Sequence, residues 1–245
     1  MKMQVQAIGG ASEEILARHR VHAIKLGFPR LGEARLPDVA IVGGGPSILG
    51  HVEELRSIEA EVWAINGAWR WCRENGIDAA FLSVDPLPAI ARMARGAERA
   101  ILSTSCHPDV FATLQNADVE AVHVGGDDGL LNGPTTATTA PMIAFERGHR
   151  RVLFYGCEGN FDRMTHAYGN CRPLDDLVRV ECGGKDFLTS PDMLCQVDFL
   201  AALLRSCPDI MIDRSGGLLS AAIAHEDVDV IALSPKLRDE IWPTH

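Results

Sequence analysis

"VAIVGGGPSILG", residues 39–50, decides how the rest of this 245-residue chain is read. An apolar, β-branched run drives into Gly43, Gly44 and Gly45. Pro46 and Ser47 follow, and then a segment with a helical pattern. Glycines let a ligand approach the backbone closely, and a helix that starts just after them offers unpaired N–H groups and its positive end. Pro46 suits a first helical position, and Ser47 adds a hydroxyl. The loop lacks the lysine of a P-loop and the spacing of a dinucleotide fingerprint. It reads as a strand–loop–helix unit that holds an anionic ligand, with a tight turn holding nothing as the plainer alternative.

Outward from this unit the pattern repeats. Short, nearly continuous apolar runs at 62–65, 79–84, 100–102, 119–124 and 152–155 join 39–42 as expected strands. Runs of this kind mark parallel strands buried on both faces. Segments 47–57, 67–75, 87–96, 107–116 and 135–147 are the expected helices between them. This alternation predicts an α/β fold with a Rossmann-like, doubly wound, mostly parallel sheet. In such sheets ligands bind beyond the carboxyl ends of the strands. Upstream, 11–26 reads as an amphipathic helix capped by Ser12, with Glu13 and Glu14 in its first turn. A linker broken by Pro29 and Pro37 follows. The expected division is an N-terminal helical extension and linker, 1–37, and a Rossmann-like nucleotide-binding domain, 38–245.

The rhythm falters after Gly156. Residues 157–177 are polar and too long for an ordinary connection, which marks the segment as functional or disordered. "LVRVECGGKDFLTS" then reads as a hairpin turning at Gly183 and Gly184. A helix at 191–206 capped by Ser190, a strand at 210–212, a glycine-led helix in "SGGLLSAAIAH" and an edge strand at 228–233 complete the chain.

A net charge of −10 leaves no basic footprint, so nucleic acid is not an expected partner. A small anion is still allowed, because a few backbone N–H groups and one arginine can hold it. No apolar stretch approaches the roughly 18 residues of a membrane span. The N-terminus is charged and has no signal-peptide core. Seven cysteines without a CxxC pair suggest reduced thiols, with spacings that match no zinc pattern, and hence a cytoplasmic protein. A homo-oligomer is left open.

The candidate site residues stand at the expected strand ends. Asn66 closes "VWAING" and could read a ribose or a base edge; a helix cap is the alternative. Asp85 closes "FLSVDP" and could meet a hydroxyl, an amine or a metal, or cap the next turn. "NGPTTATTAP" sets Gly133, Thr135, Thr136, Thr138 and Thr139 around a helix start, suited to a phosphate, carboxylate or sugar. "YGCEGNFDRMTHAYGN" crowds Glu158, Asp162, His166 and Tyr168 into one loop, the materials of acid–base chemistry. His166 is the preferred catalytic histidine and His107 the second choice. Arg163 and Arg172 are candidate partners for an anionic leaving group. Trp69 and Trp71 would mark a protein interface if exposed.

Four ordered blocks, "VAIVGGGPSI", "VWAINGAWRWCRENGIDAAFLSVDP", "GPTTATTAPMIAFERGHRRVLFYGCEGNF" and "THAY", resemble a Rossmann-like family. It comprises archaeal 6-hydroxymethylpterin diphosphokinase-like proteins and motility-associated-factor glycosyltransferase-like proteins. More distantly, the pattern is similar to bacterial sialyltransferases that begin with a G-x-G-P-S loop. The resemblance runs from about residue 38 to 220. It implies a nucleotide-bearing donor: a cytidine-monophosphate sugar in the sialyltransferase-like members, ATP with magnesium in the pterin members. Gly43, Gly44, Gly45, Pro46, Ser47, Asn66, Thr135, Thr136 and Thr138 would then contact the nucleotide, and His166 would be the counterpart of the catalytic base. These families carry Asp where this chain has Glu158, one methylene longer.

The expected function is a nucleotide-dependent transferase, foremost a glycosyltransferase using a nucleotide-activated, CMP-type acidic sugar, with His166, Asp85 and Glu158 as catalytic residues. The alternatives are an ATP-dependent diphosphokinase, in which Asp85 or Glu158 would hold magnesium, and a nucleotide-binding or assembly module without turnover.

Overall fold

A computed structural model describes residues 11–125, 129–161, 166–169 and 177–233. Seven strands form one parallel sheet: β1 (Asp38–Val42), β2 (Glu61–Ile65), β3 (Ala80–Ser83), β4 (Arg99–Ser103), β5 (Asp118–Val122), β6 (Arg151–Tyr155) and β9 (Met211–Asp213). Their order is β5-β4-β3-β2-β1-β6-β9, and every pairing is parallel. The doubly wound sheet expected from the apolar runs is therefore present.

Strand alternation divides the core. Val39 and Ile41 of β1 face one side, with Trp63, Leu82, Ile101 and Phe154. Ala40 and Val42 face the other, with Ala64, Phe81, Leu102 and Tyr155. Against the second face pack α2 (Val52–Ser57), α3 (Ala68–Glu74), α4 (Ile90–Ala94) and α5 (Pro108–Thr113). Helix α1 (Glu13–Leu26) buries Ala23 on the same side. Against the first face pack α6 (Thr136–Arg147), α7 (Pro191–Ser206) and α8 (Gly217–Ala224). The crossovers change face between β1 and β6, so these neighbours flank the topological switch point, where open α/β sheets take ligands.

The helices of the second face are shorter than their sequence patterns, whereas α7 spans the expected 191–206. The segment expected as one helix over 47–57 is a 3-10 turn, Pro46–His51, followed by α2. Gly50, inside the segment, weakens an α-helix there. Pro86 and Pro88 delay α4 to Ile90, and Gly96, at φ 86°, follows its end. Trp69 and Trp71 are buried in the core.

The expected hairpin forms as β7 (Val178–Cys182) and β8 (Lys185–Thr189), turning through Gly183 and Gly184 with φ of 60° and 71°. Two consecutive positive φ values make the primed turn that fits strand twist. The edge strand β10 (Val228–Leu233) pairs antiparallel with β7, so these three strands form a second sheet rather than extending the first. Val178, Val180 and Cys182 seal that sheet against α7 and α8.

Two glycines join the halves of the main sheet. A Cβ on Gly43 would stand 2.4 Å from the Gly156 carbonyl oxygen and 2.9 Å from Cys157 Sγ. Nothing lies within 4 Å of a Cβ on Gly50, seven residues on. Gly43→Ala should lower unfolding free energy by about 1–3 kcal/mol, the range for overpacking. Gly50→Ala should change it by no more than about 0.5 kcal/mol. Urea melts of the two variants check this, and equal midpoints would contradict it.

Candidate functional site

The loops that leave β1 and β6 are laced together. Gly43 N–H donates to Tyr155 O at 2.7 Å, and Gly45 N–H to Gly156 O at 2.9 Å. Gly156 has φ of 65°, and a Cβ there would strike Ile48 and the Gly43 carbonyl. The backbones touch, so the side chains that follow each strand reach across to the other loop.

Glu158 makes that reach. Its carboxylate accepts from the Ser47 N–H and from the Ser47 hydroxyl, both at 2.8 Å. A Cβ on Gly45 would lie 2.1 Å from a Glu158 oxygen. Glu158 thus occupies the position beside Ser47 at which the sequence suggests an external anion. It is 5% exposed, and burial raises its pKa against the opposing effect of the Ser47 hydrogen bonds. The nearby Asp213 charge adds to the rise. Cys157, under the same seam, is fully enclosed, and burial pushes its thiol up, away from a reactive thiolate.

Asn66 holds the end of β2 in a left-handed conformation, φ 48°, unique among the described non-glycine residues. Such backbone persists where the surroundings fix it, and it clusters at functional sites. Its N–H donates to Leu82 O at 3.2 Å, and its carbonyl accepts from Trp69 N–H at 3.2 Å. Its side-chain Oδ1 is buried and accepts no hydrogen bond among the described residues. A buried acceptor without a donor is costly and calls for a partner.

His166 and Tyr168 lie directly on the glycine loop. The Ala167 N–H donates to Gly44 O at 2.9 Å. A Cβ on Gly44 would be 2.8 Å from His166 Cδ2 and 2.7 Å from the Tyr168 hydroxyl, which would also be 2.8 Å from a Cβ on Gly67. The rings of His166 and Tyr168 are 5.1 Å apart. The segment therefore bridges the loops after β1 and β2, beside Asn66.

The other candidates have local partners. Asp85 Oδ1 accepts from Leu87 N–H at 2.9 Å, a turn that leads toward α4. Thr135 and Thr138 form a reciprocal capping box at the start of α6. Thr135 also donates to Gln196 at 3.0 Å, and Thr136 Oγ1 accepts from Val84 N–H at 3.4 Å. Gly133 is packed against Thr138, and its N–H donates to Thr139. His107 caps α5, its Nδ1 accepting from Asp109 N–H at 3.2 Å. Asp162, Arg163 and Arg172 lie outside the described residues.

Three residues that the sequence reading passed over hold the Glu158 loop. Asn160 accepts from Leu218 N–H at 2.8 Å, and Ser215 Oγ accepts from Cys157 N–H at 2.9 Å. Asp213 accepts from Ser215 N–H at 2.8 Å. The local signal is "DRSGG", whose Asp and Ser are turn-forming types. A groove of about 420 Å³ opens elsewhere, lined in part by Asp38, Glu54, Arg151, Tyr155 and Arg214. Asp38 pairs with Arg151 there, and Glu54 accepts from Tyr155 at 2.8 Å, so the groove has fewer unmet demands than the Asn66 region.

The chain is similar in structure to the MAf glycosyltransferase from Magnetospirillum magneticum AMB-1. The TM-score is 0.61 and the identity 18%, and the match covers 96% of this chain and 42% of that one. The two share a fold, and this chain spans less than half the length of that one. No family profile matches the chain. No curated protein matches it either. No helix among the described residues is long and apolar enough to cross a membrane.

Because burial raises the Glu158 pKa, the folded protein keeps that proton to higher pH than the unfolded chain does. Ionised Glu158 therefore weakens the fold as pH rises from the ordinary value of 4.5 through the elevated one. Glu158→Gln can keep both contacts to Ser47 without the charge. Its stability relative to wild type should climb across that window in paired urea melts, and a difference independent of pH would contradict the assignment.

Proposed function

We propose that the protein is a nucleotide-dependent transferase that moves an acidic sugar from a CMP-type donor to an acceptor hydroxyl. The observation that carries this reading is Asn66, with a strained backbone and a buried Oδ1 that lacks a donor among the described residues. It stands at the end of β2, beside the strand β1 that borders the switch point. A ribose hydroxyl or an exocyclic amine of a base supplies the missing hydrogen bond. The fold shared with a glycosyltransferase supports the same reading.

His166 then acts as the base. It takes the proton of the acceptor hydroxyl as that oxygen bonds to the sugar carbon, and the sugar–phosphate bond breaks with its electron pair on the departing phosphate. Tyr168 fixes the imidazole over Gly44. With Glu158 holding Ser47, the nucleotide phosphate belongs nearer Asn66 and the start of α6 than on the Ser47 N–H. Asp85, used in its turn, is the weaker candidate for the base.

The diphosphokinase alternative fits less well. Its named magnesium ligands, Asp85 and Glu158, follow β3 and β6, three strand spacings or about 14 Å apart. Each is engaged by an N–H donor, Leu87 for one and Ser47 for the other. Magnesium would therefore rest on one of the two carboxylates and on the substrate phosphates, and that carboxylate would have to leave its N–H donor or share it.

Thermal unfolding with CMP, CDP, ADP and ATP, with and without magnesium, tests the reading. CMP at about a hundred times its dissociation constant should add roughly 2.7 kcal/mol without metal. Asn66→Ala should remove most of that gain. His166→Ala should leave CMP binding intact and slow transfer by about 10²–10⁴-fold. A gain with ATP alone that needs magnesium would favour the diphosphokinase, and nucleotide binding without turnover of any donor would favour a binding module.

A further inference from the structure

We infer a separate anion-binding subsite where α1 meets the ends of β4 and β5, built on Arg20 and Asn132 and taking a carboxylate or a phosphate group. Arg20 projects from α1 with its side chain only 18% exposed. Its Nε is buried and donates to nothing among the described residues. Its one ion pair among the described residues is a loose contact, 3.7 Å from Nη1 to Glu13, whose side chain is 84% exposed. A pair so solvated is worth little, so it does not account for burying a guanidinium.

The Nη2 end of the guanidinium shares its surroundings with a second donor. Arg20 Nη2 lies 3.6 Å, and Asn132 Nδ2 4.0 Å, from the point where a Cβ on Gly125 would stand. Gly125 has φ of 75° and carries no side chain into that space. The amide of Asn132 is oriented from behind. Its Oδ1 accepts from the Thr139 hydroxyl at 3.1 Å, and that hydroxyl in turn accepts from Gly133 N–H at 3.1 Å. Nδ2 is thereby turned outward. With Arg20 Nη2 and Asn132 Nδ2 both beside one point over Gly125, a guanidinium and an amide stand where they suit the planar oxygens of a carboxylate or phosphate.

The surroundings agree in character. Thr104 Oγ1 and His123 Nδ1 are 3.0 Å apart at the ends of the same two strands. His19, next to Arg20 in α1, is buried with Nδ1 3.0 Å from Ser105 O and its ring edge-on to His107. Asn132 also leads directly into the Thr135 cap. The subsite therefore lies on the same edge of the sheet as Asn66, about two to three strand spacings or 10–14 Å away. That span suits the acidic group of the transferred sugar or of its acceptor. The identity of the ligand rests on the transferase reading; the existence of an anion site does not.

The test is a titration of the full chain followed by ¹H–¹⁵N spectra at the Gly125 amide, the Asn132 side-chain amide and Arg20 Nε–H. The probes are inorganic phosphate, N-acetylneuraminate and, as the uncharged control, its methyl ester. One or both anions should shift these signals and the ester should not. Phosphate alone would identify a phosphate site, and N-acetylneuraminate alone a carboxylate site. Arg20→Gln should weaken the effective anion at least tenfold, with Arg20→Lys between the two. An unchanged urea midpoint would show that Arg20→Gln still folds; if it does not, Asn132→Ala carries the test. Equal shifts from ester and acid, no shift from any probe, or undiminished binding in a folded variant would overturn the inference. A wild-type protein that binds these anions but not CMP would sink the transferase reading and leave the subsite standing.

Discussion

The close approach of Gly43 and Gly156 is the constraint on which the site depends. Their loops leave adjacent parallel strands, β1 and β6, at the point where the crossovers change face. With side chains at either position the loops could not exchange the hydrogen bonds from Gly43 to Tyr155 and from Gly45 to Gly156. The seam sets the distance from which Glu158 meets Ser47. It also forms the floor on which His166 and Tyr168 lie, through the hydrogen bond from Ala167 to Gly44. A local steric condition in two tight turns thereby organises chemistry drawn from four segments of the chain.

Glu158 changes what the glycine loop can do. An open strand–loop–helix turn offers its N–H groups to an external anion. Here a carboxylate of the chain itself takes the Ser47 N–H and hydroxyl. The consequence is a division of labour: Glu158 occupies the Ser47 donors, while unmet hydrogen-bonding demand among the described residues appears at Asn66, Arg20 and His149.

The parallel strands were legible because a strand buried on both faces must be apolar almost continuously, and 39–42, 62–65 and 152–155 are. The hairpin was legible from Gly183 and Gly184 because few other residues suit its turn. Helix lengths were less so, since Gly50, Pro86, Pro88 and Gly96 truncate patterns that hydrophobic spacing alone would extend. The loops bearing Asn66, His166 and the three glycines stood out by turn chemistry. What could not be read was their pairing. Glu158 finds Ser47, Asn160 finds Leu218 and Arg20 approaches Gly125 only because distant strands become neighbours. The threonines of 135–139 combine both kinds of signal: Thr135 and Thr138 form the capping box that starts α6, while Thr136 meets Val84 and Thr139 meets Asn132.

The most direct test of this account is a crystal structure of the protein grown with CMP. The account predicts that a ribose hydroxyl or base amine of the nucleotide donates to Asn66 Oδ1, within reach of His166, while Glu158 stays on Ser47. A phosphate seated on the Ser47 N–H with Glu158 displaced, or a nucleotide bound away from Asn66, would contradict it.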